Sequence, residues 1–163
     1  GAGGRVTFIR PAVKRRLRDI AQHALPDVRC TYTWDGRPVA DSTLWLGPVE
    51  GSVDPESIGR QPLDVDLFTI PVRVELLGHA TPEDAEDAAM GAVNALDAAL
   101  WESQRLTGVT GLPDGDAASY RGVVTVRIAR MDGPGHSLPN RGAYFGWCEL
   151  ELLCTANVDR LEP

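Results

Sequence analysis

Apolar residues recur along this chain with two distinct periods, and the periods divide it into elements. Val13, Leu17, Ile20, Ala21 and Ala24 fall at helical spacing, while Lys14, Arg15, Arg16 and Arg18 fall mostly elsewhere on the wheel. The spacing predicts an amphipathic helix with a basic face. Pro11 suits a first helical position, and Pro26 disfavours helical geometry at Leu25, so the helix should end there. Val28, Cys30, Tyr32 and Trp34 then alternate with Arg29, Thr31 and Thr33, the period of a half-buried strand, and Asp35-Gly36 supplies a turn signal. A second strand is expected over 43–49. The clearest strand covers 67–77, with Phe68, Ile70, Val72, Val74 and Leu76 on one face and Thr69, Pro71, Arg73 and Glu75 on the other. Pro71 has no N–H to give, which points to an edge or a local break in the ladder.

The helical period returns after Gly78. Thr81 is placed as N-cap, Pro82 at the first helical position, and Glu83, Asp84, Glu86 and Asp87 favour the positive end of the helix. Ala85, Ala88, Ala89, Ala92, Val93, Leu96, Ala99 and Leu100 form the apolar stripe of a long helix over 82–106, with Gly108 as its C-terminal cap. Its alanines and Gly91 are expected to let it lie close to a sheet. Two more strands follow at 122–130 and 144–156, in the pattern of a hairpin. The segments 47–66 and 132–142, rich in Gly and Pro and without a sustained period, read as loops, and their length makes them candidate contact surfaces. The order αβββαββ predicts an α+β fold. It is a two-layer sandwich, a mainly antiparallel sheet of about five strands with the long helix and the N-terminal helix on one face. A single domain over 11–158 is expected, between a flexible or partner-ordered arm at 1–10 and a short tail at 159–163.

Charge adds an asymmetry. The net charge of the 163 residues is −7, yet residues 1–30 carry seven Arg or Lys against Asp19 and Asp27, so the remainder is strongly acidic. An acidic body argues against general nucleic-acid binding, because phosphate contacts need an extended basic surface. No apolar run reaches the ~18 residues of a membrane-spanning helix. The start GAGGRVTFIRP has neither the apolar stretch nor the cleavage site of a secretory signal, which sets the expectation of cytoplasmic synthesis. Cys30, Cys148 and Cys154 have no CxxC spacing and no histidine at a ligand spacing, so they read as buried thiols rather than zinc ligands.

Candidate catalytic groups are sparse. His23, His79 and His136 share no motif, and the chain has no nucleophile elbow, phosphate loop or HExxH sequence. The best enzymatic reading joins His79, Glu83 and Asp84 at the N-terminus of the long helix, loosely like a hotdog-fold thioesterase. Simple complementation of the helix dipole explains the same acids with less. Trp34, Trp45, Trp101 and Trp147 lie in predicted elements outside basic clusters, which favours core or subunit-interface packing over base stacking.

Taken in order, these segments resemble the tail terminator proteins of long-tailed bacteriophages and related tail completion or neck proteins. The likeness covers about residues 10–158. It runs from the N-terminal helix into LPDVRCTYTW, then STLWLGPVEGS, a strand ending VRVELLGH, the acid-opened and alanine-rich helix TPEDAEDAAMGAVNALDAAL, and a closing hairpin. The resemblance implies a virion structural protein and not an enzyme. It would form a ring, usually hexameric, that caps the tail tube, ends tail elongation and presents a surface to the head-side connector. A different neck component, such as a head-closure or adaptor protein, or the equivalent part of a gene transfer agent, is the alternative. The implied partners are copies of the chain, the major tail tube protein and the connector or stopper protein, with DNA passing through the channel unbound; no membrane, cofactor or metal is implied. In such a ring, Glu50, Asp54, Glu56, Asp64 and Asp66 would line the channel and repel phosphates. Lys14, Arg15, Arg16 and Arg18 would pair with acidic surfaces of an adjacent ring. His136, Asn140 and Arg141 would make contacts from the second loop.

Overall fold

Alternating apolar positions and capped helical stretches resolve into α1 (Arg10–Ala24), β1 (Arg29–Thr31), β2 (Thr43–Leu46), β3 (Glu50–Ile58), β4 (Gln61–His79), α2 (Pro82–Gln104), β5 (Val124–Ser137) and β6 (Tyr144–Asp159). The structure, a computed structural model, describes residues 8–34, 41–58, 61–104, 124–138 and 142–159. Most of the expected arm and tail, the turn signal Asp35-Gly36 and the proposed cap Gly108 lie outside them. The fold is α+β: one sheet in the order β1-β2-β4-β6-β5, with β3 also paired to β4.

The described strands number six rather than five, and the difference lies in the expected loop 47–66. That segment forms a hairpin instead, with Glu50 opposite Thr69 and Ile58 opposite Gln61. Its Gly, Pro and acidic residues hide the two-residue period, because backbone pairing to β4 organises it rather than an apolar face of its own. β2 and β3 lie along the same side of β4, broken at Gly47: Leu46 pairs with Val72 and Glu50 with Thr69, so β2–β3 carries one residue more than β4 across the break. The break sits at Pro71, whose carbonyl accepts the Gly47 N–H at 2.7 Å. A proline with no N–H is tolerated there for that reason. The second expected loop, 132–142, is also shorter than predicted, since β5 runs on past register shifts to Ser137. β1 and β2 pair in parallel.

The core lies between one sheet face and the helices. Cross-strand pairs Phe68–Cys154, Ile70–Leu152, Val72–Leu150 and Val74–Cys148 are buried, with Val124 and Val126 from β5 beside them. Over these sit Ala85, Ala89, Ala92, Val93, Leu96 and Leu100 of α2, the predicted stripe. The Thr81 hydroxyl accepts the Asp84 N–H at 3.1 Å, the cap read from the sequence. Close approach comes from the sheet rather than from Gly91. A Cβ on Gly91 would meet nothing within 4 Å, whereas one on Gly146 would stand 1.8 Å from the carbonyl oxygen of Ala85. The opposite sheet face has no helix over it among the described residues.

Candidate interaction surface

The N-terminal helix is less uniformly basic at its surface than its sequence suggests. Lys14 is only 5% exposed, on the buried side with Val13 and Leu17. Its ammonium lies 4.1 Å from the centre of the Tyr32 ring, and burial lowers its pKa. The four-carbon stem allows this, since its methylenes pack as an apolar side chain would. Arg15 is exposed, Arg18 pairs with Asp19 at 3.1 Å, and Arg16 is half-buried. The outward basic surface of α1 is therefore built on Arg15 and Arg18, not on Lys14.

Asp66 moves further from its expected place. Read as part of a loop, it could face a channel; as part of β4 it continues the inward register of Phe68 and Ile70 and is fully buried. Arg10, the first residue of α1, donates to both its carboxylate oxygens, with Nε at 3.1 and 3.0 Å, and the same guanidinium lies 5.3 Å from the Phe68 ring centre. The hydrogen bonds to Asp66 raise the Arg10 pKa. The pair fastens the start of α1 to the sheet. Asp54 and Glu56 lie on β3 and Asp64 on β4, in the hairpin, while Glu50 is exposed at its base. His136, on β5, meets Glu86 of α2 at 2.9 Å and packs edge-on against Tyr144. Asn140 and Arg141 lie outside the described residues.

The uncovered sheet face carries the large side chains that a partner could contact. Trp45 stands beside Trp34, with ring centres 6.4 Å apart, and Trp34 is 57% exposed. Across the ladder Arg73 lies 4.6 Å from the Trp147 ring centre and bonds Glu75 and Glu149, at 3.2 and 2.6 Å. Between Trp45 and the β5–β6 edge runs an open groove of about 430 Å³, lined among others by Pro48, Pro71, Arg130, Asp132 and Glu151. The tryptophans are thus not core residues: Trp101, on α2, is 68% exposed. Sequence periodicity could place them in elements but not on a face, because aromatic residues occur on either.

The enzymatic reading centres on the start of the long helix, α2. Glu83 and Asp84 are exposed in its first turn, and His79 is half-buried with its Nε2 unpartnered. Among the described residues no three His, Cys, Asp or Glu side chains are grouped to hold a metal ion. Nor is any described helix long and apolar enough to cross a membrane. The three cysteines are buried as expected; burial pushes Cys30 up to about 11 and raises Cys148, and burial together with Asp66 pushes Cys154 up to about 12.

Two side chains that sequence reasoning passed over hold the helix ends. Gln22 donates to the carbonyls of Leu25 and Val28 and accepts the Cys30 N–H at 3.1 Å, tying the exit of α1 to β1. Gln104 accepts the Val126 N–H at 2.7 Å and donates back to the Val126 carbonyl, closing the last turn of α2 onto β5. A lone glutamine in a helix gives no sequence signal for such a role.

Known proteins add little to this picture. No family model matches the chain. No curated protein matches it either. Among solved structures, it is similar to a chain of "Virion of native gene transfer agent (GTA) particle", with 17% identity, 91% of each chain covered and a TM-score of 0.45. A likeness that distant carries no functional argument.

Proposed function

We propose that this chain is a virion structural subunit of the tail terminator type, assembling as a ring, hexameric in the resembled family, that caps a tail tube, ends its elongation and joins it to the head-side connector. The observation that carries the reading is the one-sided sandwich. Helices cover one sheet face, and the other presents Trp45, Pro71, Arg73 and Trp147 around an open groove. Aromatic and arginine side chains on a rigid sheet are the composition of protein contact surfaces. The resemblance in element order, from the LPDVRCTYTW strand entry to the closing hairpin, supplies the kind of assembly. In this reading Asp54, Glu56 and Asp64 of the β3–β4 hairpin face the channel, so that DNA passes without adhering, while Glu50, at the base of the hairpin, lines the groove instead. Asp66, held by Arg10, does not take part. His136, Asn140 and Arg141 contribute contacts from the β5–β6 end. The partners are further copies of the chain, a tube protein and a connector protein, within a particle assembled in the host cytoplasm.

Deleting the gene in a particle-producing host tests this. The expected phenotype is unjoined heads together with tail tubes of uncontrolled length. Unjoined heads with tails of normal length would assign the chain to another neck position, such as head closure, and normal particles would refute a virion role.

A further inference from the structure

The groove on the uncovered sheet face has a charge that the rest of the chain can answer. Four carboxylates line it, Glu50, Asp132, Glu149 and Glu151, against two guanidinium groups, Arg73 and Arg130. Arg73 is already engaged by Glu149, and Arg130 reaches Asp132 at 3.5 Å. Glu50 and Glu151 have no cation at ion-pair distance among the described residues, so the groove carries an acidic excess. Its bed is apolar, formed by Trp45, Pro48 and Pro71. Such a bed accepts the stem and flat head of an arginine, as Trp147 beside it already does for Arg73.

The complementary surface lies on the other side of the molecule. α1 packs its apolar stripe inward and turns Arg15 outward, with the half-buried Arg18, held by the exposed Asp19 at 3.1 Å, three residues on and so at a neighbouring position of one helix face. The outward face of α1 points away from the sheet layer, and the groove points away from the helix layer. Resting on the ring reading above, we infer that the groove of one copy receives the outward face of α1 from the next copy in the same ring, with Arg15 and Arg18 opposite Glu50 and Glu151. A contact between two different patches on opposite sides of a subunit cannot be two-fold symmetric. It propagates head to tail and closes when the rotation per step divides a full turn. The occupant of the groove is therefore another copy of this chain, and α1 contacts a neighbour within the ring rather than an adjacent ring.

Charge exchange tests the inference on the purified full chain. Sedimentation velocity is measured on the wild type, on Arg15→Glu/Arg18→Glu, on Glu50→Arg/Glu151→Arg, and on an equimolar mixture of the two variants. All four substituted side chains are at least partly exposed, and unchanged circular dichroism and melting verify that each variant folds. The wild type should self-associate at about 50 mM salt and weaken by about 1 M, where exposed charges are screened within roughly 3 Å. Each variant alone should associate at least tenfold more weakly, because its helix and groove then carry like charge. The mixture should recover assembly, since each variant's helix is complementary to the other's groove. A wild type that remains monomeric at high concentration and low salt would overturn the inference, as would variants that assemble normally or a mixture that gains nothing. Variants that still form rings would leave the ring reading standing while removing this interface from it, and the deletion phenotype judges that reading separately.

Discussion

Asp66 and Arg10 show how one side chain's surroundings set the cost of losing its partner. Asp66 is wholly buried, whereas the Arg10 side chain keeps 26% of its surface in water. Arg10→Ala strands a buried carboxylate and should cost roughly 3–5 kcal/mol. Asp66→Asn leaves a guanidinium that water can reach and an amide that can still accept from it, so roughly 1–3 kcal/mol is expected. Urea titrations of both variants check the order, and equal losses would contradict it. The thiols give a pH dependence of definite sign. Cys30 and Cys154 titrate near 11 and 12 when folded but ionise from about 9 in the unfolded chain. They leave stability unchanged at neutral pH. As the pH rises from 9 toward 12 the unfolded state sheds protons that the folded state retains, and stability falls. Native protein at pH 8 should accordingly resist thiol reagents that label all three cysteines in denaturant; rapid native labelling would show the burial to be wrong.

At the scale of elements, the α2–sheet contact depends on a glycine in the sheet. Gly146→Ala drives a methyl into the backbone of Ala85, so helix and strand must separate, at a cost of about 1–3 kcal/mol or more. Gly91→Ala meets nothing and should instead stabilise α2 by about 0.5–1 kcal/mol. Opposite shifts in melting temperature for these two single-methyl additions are the signature to look for. Leu96, buried in the core, should not tolerate Asp: an unpaired carboxylate there is expected to abolish cooperative unfolding in a thermal melt. The stripe of α2, its Thr81 cap, the termination of α1 before Pro26 and the inward face of β4 were all legible, because each follows from local chemistry or a period longer than chance. β3 was not. Its partner is β4, and a strand whose backbone is satisfied by a neighbour needs no alternation of its own.

For the whole molecule, the long β3–β4 hairpin is the largest departure from the sequence reading and the best target for separating folding from assembly. The buried pairs of β4 and β6 from Phe68 onward lie clear of its distal part. Removing residues 52–60 should therefore leave circular dichroism and cooperative melting recognisably native. Particle assembly and infectivity should fall sharply, on the proposal that the hairpin faces neighbours or the channel. Wild-type infectivity in the deletion would refute that use of it. The groove belongs to this scale too, since it does not exist until strands distant in sequence stand side by side.

What the sequence alone determined is what neighbours along the chain decide: the two helices, the Thr81 cap of α2, the apolar face of β4, the closing hairpin, the α+β order and the burial of the cysteines. The tertiary structure decided which polar residues face solvent. Lys14 and Asp66 are charged and so read as surface, yet one lies under an aromatic ring and the other against an arginine 56 residues away. Burial of a charge is set by the partner that compensates it, and that partner is chosen by the fold rather than by the local pattern. Conversely Trp34 and Trp101, read as packing in the core or at a subunit interface, are 57% and 68% exposed in the single chain. Hydrophobicity drives an average over many side chains toward the core, and a few large apolar groups remain outside wherever no other element covers them.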